Sequence, residues 1–338
     1  MLKQIILGVV SSTVIMASSL VSEAKNAGLS AIPSDKQELM KLIDDKRNPI
    51  TAEKTQLGKM LYFEPRLSKS GLISCNTCHN LATGGDDGLA AAVGHKWTVN
   101  PHHLGSPTVY NAVFFDVQFW DGRAPNLEAQ AGGPILAAPE MANTAPNVVA
   151  VVTSIPEYVE KFQIAYGKDV KITYKLIADT IGNFERTLVT PSAFDDYLNG
   201  QENALSQAEK AGMKKFIEVG CATCHTGIAL GGSMNMLGVT AKYKYTNVGD
   251  FKGDANGMVK VPTLRNITQT APYFHNGQVT TLKEAIVEMG RIQLGTSISD
   301  ADATSIELFL HTLDGRKPKI IYPILATRTA STPVQNVH

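Results

Sequence analysis

Cys75-Asn76-Thr77-Cys78-His79 and Cys221-Ala222-Thr223-Cys224-His225 are two copies of one pentapeptide, and together they use all 4 cysteines of this 338-residue chain. Cys-x-x-Cys-His is the attachment pattern of a c-type haem. Both thiols become thioethers to the porphyrin, and the histidine that follows lies close enough to bind the iron from one face. A disulfide or redox pair explains one Cys-x-x-Cys but leaves the repeated histidine without a role. A zinc site needs both cysteine pairs to converge on one metal, and the histidines are again superfluous. The motifs therefore read as two covalently bound haem c groups. Cys75, Cys78, Cys221 and Cys224 are the attachment points, and His79 and His225 are iron ligands.

The N-terminus agrees with this reading. Lys3 precedes an apolar run over Ile5 to Val10, Val14 to Met16 and Leu20, and small residues surround Ala24. This predicts a cleaved signal peptide over residues 1–24 and a periplasmic protein, with a retained anchor as the alternative. The serine content makes the run a weak membrane span. Lys plus Arg and Asp plus Glu are equal at 31 each, so no strong field favours nucleic acid or an anionic membrane. The length suits two domains of about 100–200 residues.

Helical patterns recur on either side of each motif. Thr51 can cap a helix carrying Leu57, Met60 and Leu61 on one face. Ser206-Gln207-Ala208-Glu209 is a capping box before the second motif, and Thr281-Leu282-Lys283-Glu284 opens a helix expected to stop at Gly290. Ile177, Ile181, Phe184 and Leu188 follow a helical period, as do Ile306, Phe309, Leu310 and Leu313 before Gly315. Alternating strands are nearly absent. The expected fold is mainly α, with two cytochrome c-like haem domains, long ordered loops and little β structure. A haem buries large apolar area and stands in for much of a core. The expected boundaries are 25–189 for the first haem domain, 190–316 for the second and 317–338 for a tail packing across domains, with the junction at Thr190-Pro191-Ser192.

Each iron needs a sixth ligand or an open position. In the second domain Met289, at a helix end, is one candidate beside Met234, Met236, Met258, His275 and His311. A methionine there is also ordinary core packing. In the first domain the candidates are His95, His102 and His103. His95 sits in Val93-Gly94-His95-Lys96-Trp97, where glycine lets the backbone approach a flat ligand.

Further segments carry a resemblance: Leu61-Tyr62-Phe63-Glu64-Pro65-Arg66-Leu67-Ser68, Gly84-Gly85-Asp86-Asp87, Gly94-His95, Ser106-Pro107-Thr108-Val109-Tyr110-Asn111-Ala112, Phe119-Trp120-Asp121-Gly122-Arg123-Ala124 and Gly133-Pro134 through Glu140-Met141. Val261-Pro262-Thr263-Leu264-Arg265-Asn266, Thr270-Ala271-Pro272-Tyr273-Phe274-His275-Asn276-Gly277 and Met289 through Gly295 follow the second motif. With the haem motifs, the chain resembles the bacterial dihaem cytochrome c peroxidases from about residue 50 to 316.

The resemblance implies roles residue by residue. His79 becomes the proximal ligand of a low-potential peroxidatic haem, with His95 as its displaceable distal ligand. His225 and Met289 become the ligand pair of a high-potential, electron-accepting haem; methionine ligation raises the potential. Trp120 is implied as the conduit between the haems, where the residue alone reads as a buried aromatic anchor. Glu140 and Gln130 are implied as the pair handling peroxide, with Glu140 as acid and base. Met141 remains a rival ligand of the first iron. Thr270 and Pro272 are implied to offer backbone carbonyls to a calcium ion. The family has an Asn just before Ser-Pro-Thr, but Gly105 stands there and offers no side-chain oxygen. The activity implied is hydrogen peroxide reduction with electrons from a small cytochrome c or cupredoxin, in a homodimer with no nucleic-acid partner and no stable membrane insertion. The alternatives are a non-catalytic electron-transfer or redox-sensing dihaem cytochrome, and the related group that oxidises tryptophans of a partner, which carries Tyr where this chain has Met289.

Overall fold

The computed structural model describes residues 19–336. The expected leader lies outside the described residues up to residue 18, while its last residues fall within the first helix. In chain order the helices are α1 (Leu20–Asn26), α2 (Lys36–Ile43), α3 (Ala52–Tyr62), α4 (Cys75–Cys78), α5 (Leu127–Leu136), α6 (Ala145–Thr153), α7 (Pro156–Tyr166), α8 (Tyr174–Glu185), α9 (Ala193–Leu198), α10 (Gln207–Val219), α11 (Leu282–Met289) and α12 (Asp300–His311). The one sheet among these residues is an antiparallel ribbon of β1 (Met234–Met236) and β2 (Met258–Lys260). No helix of the described residues is long and apolar enough to cross a membrane.

Capping chemistry sets the helix starts. Thr51 Oγ1 accepts the Lys54 N–H at 3.2 Å, and Ser206 and Glu209 exchange side-chain and backbone bonds at the head of α10. The end of α11 differs from expectation. Gly290 holds helical angles, and the chain continues in a wider π turn over Gly290–Leu294. Gly290 is there for packing, since a Cβ would lie 2.6 Å from Ile298 Cδ1. Helix α8 stops at Glu185, short of Leu188, which is nevertheless fully buried.

Two apolar cores form around the two motifs. The first joins α3, α5, α6, α7 and α8 through residues such as Leu57, Tyr62, Ile135, Val151 and Ile181. The second joins α9, α10, α11 and α12 through Phe194, Phe216, Ile286 and Phe309. Each depends on one glycine at its tightest crossing. A Cβ on Gly58 of α3 would lie 2.2 Å from the Thr180 carbonyl of α8, and one on Gly212 of α10 would lie 2.0 Å from that of Ser305 in α12. Ala24 of α1 is buried in the second core, so this part of the expected leader has a packing role in the described structure.

Between the cores, Thr190 is pinned from both sides. Asn111 and Asn266 amides donate to its Oγ1 at 2.7 and 3.0 Å, and its own N–H donates to Asn111 Oδ1 at 2.9 Å. Beside it, the buried Asp195 carboxylate receives both terminal nitrogens of Arg265 at 2.8 Å. Arg265 also donates to the Ile228 carbonyl, just after the second motif, so this pair ties the junction to the motif's loop. The tail after Gly315 is irregular and returns to the first core, where Ala326 is buried and its carbonyl accepts from Arg66 at 2.7 Å.

Candidate functional site

Both motifs fold as a single turn whose histidine points inward. At the first, the His79 N–H donates to the Cys75 carbonyl at 2.9 Å, and Tyr62 Oη, at the end of α3, donates to the His79 carbonyl at 2.6 Å. At the second, the His225 N–H donates to the Cys221 carbonyl at 3.1 Å. The side chains repeat one arrangement. His79 Nδ1 lies 2.9 Å from the Pro107 carbonyl, and His225 Nδ1 lies 3.1 Å from that of Leu230. A carbonyl only accepts, so each Nδ1 carries the hydrogen and each Nε2 keeps a free lone pair. Burial holds both imidazoles below their usual pKa, hence neutral. A neutral, oriented imidazole with Nε2 free is what an axial haem ligand requires.

The cysteines fit the same group. All four are free thiols. Burial pushes Cys78 up to about 12 and Cys221 up to about 11, so both are protonated at neutral pH. Zinc binds thiolate, and among the described residues no three His, Cys, Asp or Glu side chains come together as a metal cluster. The residues present fit covalent haem at both motifs.

A cavity of ≈ 220 Å³ opens at the second motif. Cys221, Cys224, His225 and Met289 all line it, so histidine and methionine share one chamber. Met236 and His275 line it too, while His311 is exposed on α12. Met234 and Met258 sit in the ribbon outside the lining.

Near the first motif, the loop carrying His95 lies against the turn carrying Glu140. The His95 N–H donates to the Glu140 carbonyl at 2.7 Å. Gly94 makes this approach possible, since a Cβ there would lie 2.0 Å from the Pro139 carbonyl. His95 is buried, and its Nδ1 has no hydrogen-bond partner. Among the described residues the Glu140 carboxyl is likewise in no hydrogen bond or ion pair. Burial raises its pKa, with Arg123 pulling the other way. Gln130 stands on α5, one turn before Pro134. Pro134 has no N–H, which removes the usual helical donor to the Gln130 carbonyl, and the Pro134 carbonyl accepts from Met141. The α5 end, the Glu140 turn and the His95 loop thus form one wall. Met141 is buried in the first core, and His102 is exposed and paired with Asp250 at 2.7 Å.

Trp120 links the two halves. Its indole N–H donates to the Gly105 carbonyl at 3.0 Å, its own carbonyl accepts the Lys260 N–H of β2 at 2.8 Å, and its ring meets His275 edge-on at 6.4 Å. Thr270 and Pro272 line the same cavity. The Gly105 N–H donates to the His275 carbonyl at 2.9 Å. Sequence reasoning did not single out Lys260, although it precedes Val261-Pro262-Thr263. The carbonyls of Pro107 and Leu230 left no signal in the sequence, because any residue carries one.

The model of the di-haem cytochrome c peroxidase family matches residues 52–203. Cytochrome c551 peroxidase of Nitrosomonas europaea is 45% identical over 293 residues, covering 84% of this chain and 87% of that protein. Cytochrome c551 peroxidase of Pseudomonas aeruginosa is 44% identical over 297 residues, covering 84% of this chain and 85% of that protein. Among solved structures, a MauG-like protein associated with microbial copper homeostasis aligns with a TM-score of 0.69 at 25% identity, over 80% of this chain and 92% of that one. With the paired haem motifs and their oriented histidines, these similarities make this chain a member of the di-haem cytochrome c peroxidase family.

Proposed function

We propose that this chain is a periplasmic cytochrome c peroxidase, converting hydrogen peroxide, two electrons and two protons into two waters. Two cytochrome c-like domains, 25–189 and 190–316, each hold one haem c, through Cys75, Cys78 and His79 and through Cys221, Cys224 and His225. When bound, the haems would supply the redox chemistry, single-electron acceptance from a small cytochrome c or cupredoxin at the second motif and peroxide reduction at the first. Met289, which shares the second cavity with His225, would be the second residue holding the haem there and would keep that site closed. His95 covers the first site and moves aside to admit peroxide. Glu140 takes the proton from the inner peroxide oxygen and returns it to the outer one, while Gln130 orients the substrate or a water. Trp120 is the conduit between the domains.

The observation that carries this reading is the pairing of His95 and Glu140. Their backbones are joined at 2.7 Å, the His95 Nδ1 is buried without a partner, and the Glu140 carboxyl has its pKa raised by burial. The half-buried Glu140 carboxyl, in no hydrogen bond or ion pair among the described residues, stays free to exchange its proton, as an acid–base group must. The proposal extends to a calcium ion held by the Thr270 and Pro272 carbonyls, where the Gly105 carbonyl already serves the Trp120 indole, and to a homodimer.

The test is to add hydrogen peroxide to the fully oxidised and to the half-reduced holoprotein, following iron spin state by electron paramagnetic resonance. One iron becoming high-spin, together with peroxide consumption, supports the peroxidase. Two irons that stay low-spin in every oxidation state, with no turnover, leave an electron-transfer or redox-sensing cytochrome instead.

A further inference from the structure

The cavity at the second motif is lined largely by apolar side chains, Phe216, Leu264, Ile286 and Leu310 among them, together with His225 and Met289. Lys260 and His275 also line it, and both meet Trp120, Lys260 through its backbone N–H and His275 through its ring. Lys260 is the only lysine or arginine lining this cavity, and Asp86 the only aspartate or glutamate. Lys260 is 3% exposed. Among the described residues it enters no ion pair; its Nζ lies 4.6 Å from the Phe115 ring centroid, and the nearby Asp121 is bonded to Arg123 at 2.8 Å. Burying an ammonium without a carboxylate is strongly unfavourable. Desolvation brings its pKa down to about 8, with Asp121 opposing the shift. The protein alone leaves this charge uncompensated.

A haem complements this lining, with an apolar macrocycle and two propionate carboxylates on one edge. We infer that Lys260 is the counter-ion of a propionate of the haem attached to Cys221 and Cys224. This rests on the second haem occupying that cavity, as proposed above. The pairing supplies the missing anion, and it fixes the haem's polar edge to the strand whose Lys260 N–H holds the Trp120 carbonyl at 2.8 Å. Lys260 is thus a positioning residue. Its cation also offsets the propionate charge, which would otherwise favour ferric over ferrous iron. The same residue thereby holds the second haem's potential up and orders the route to Trp120. Asp86 enters no ion pair among the described residues, and the cation that acts on its carboxyl is Lys317 rather than Lys260.

The test uses the holoprotein of the wild type, K260M and K260R, with haem content from the pyridine haemochrome and both potentials from spectroelectrochemical titration. Fewer than two haems in the wild type would refute the underlying reading, independently of Lys260. With two haems present, K260M is expected to lower the second haem's reduction equilibrium about tenfold, which is about 59 mV for a one-electron couple, and to shift the first haem less. K260R is expected to stay within about threefold of the wild type. An unchanged second potential in K260M, or a larger shift at the first haem, overturns the pairing. So does a K260R that behaves like K260M, since that would report lost packing rather than lost charge. K260Q replaces K260M if the latter does not fold.

Discussion

Replacing Glu140 by glutamine isolates the proton from everything else the residue does. The two side chains are nearly isosteric. Among the described residues the carboxyl takes part in no hydrogen bond or ion pair, so the swap orphans no partner there. The bond that positions the His95 loop, at 2.7 Å, uses the Glu140 backbone carbonyl and survives. What disappears is the exchangeable proton. A positioned acid–base group contributes about 10²–10⁴-fold, or about 2.7–5.4 kcal/mol at 1.36 kcal/mol per decade. The expected result in E140Q is a fall of at least about a hundredfold in kcat/KM for peroxide, measured by stopped flow with reduced donor, with both haem spectra unchanged. The pH profile adds a second reading. Burial raises the Glu140 pKa, and Arg123 opposes that rise. The base form is the carboxylate, so activity rises as pH climbs through this raised pKa, and that acid limb is absent in E140Q. A variant within threefold of wild type at neutral pH, or one that keeps the acid limb, refutes the assignment.

His95→Gly removes the imidazole but leaves the backbone N–H on the Glu140 carbonyl. The first iron is expected to be high-spin in the oxidised protein without prior reduction, and a low-spin signal there would assign the ligand elsewhere. Met289→His is expected to lower the second potential, because His/His ligation favours ferric iron over His/Met; an unaltered potential transfers the role to Met236 or His275, which share that cavity. Asp195→Asn leaves Arg265, 0% exposed, without its anion. That loss costs about 3–5 kcal/mol and is expected to lower the thermal midpoint by several degrees in calorimetry; a change below about 1 kcal/mol would mean that the pair contributes little.

How much was legible in advance differs from residue to residue. The haem motifs, the Thr51 and Ser206 caps and the mainly helical architecture were all readable, because each is a local pattern with a local cause. The grouping of His225 with Met289 in one cavity was readable only as one option among several methionines and histidines, since Met289 comes 64 positions after His225 and any of the others could have reached. Gly290 looked like a stop and is a packing residue, because a helix-terminal glycine and a glycine against Ile298 have the same letter. The acceptors for His79 and His225 are backbone carbonyls, and the charge on Lys260 matters because it is buried; neither fact has a sequence signature. Burial is a property of the assembled cores, not of the peptide.

One motif occurs twice, yet the two proposed covers, His95 and Met289, are held in place differently. Met289 ends a helix whose continuation is locked by Gly290 against Ile298, and α11 contributes Leu282 and Ile286 to the second core. Moving it means opening that core. Over the first site, Lys96 and Trp97 both hold left-handed backbone angles, at φ 59 and 55. Non-glycine residues in that region cost about 1–3 kcal/mol each. Trp97 is 62% exposed, so its own side chain offsets little of that strain. The bonds that hold the loop include the His95–Glu140 bond, the Gly94 N–H on the Thr98 carbonyl at 3.0 Å, the Trp97 N–H on the Gly94 carbonyl at 2.9 Å and Thr98 Oγ1 on the His95 carbonyl at 2.7 Å. Strain of this size approaches the worth of those bonds, at about 0.5–1.5 kcal/mol net apiece. Local opening of the first cover is therefore expected at far lower free energy than opening of the second. Hydrogen exchange on the oxidised holoprotein reads this directly. Amides 94–98 should exchange at least about a hundredfold faster than those of 286–292, and equal protection would mean that the asymmetry between the sites does not come from their covers.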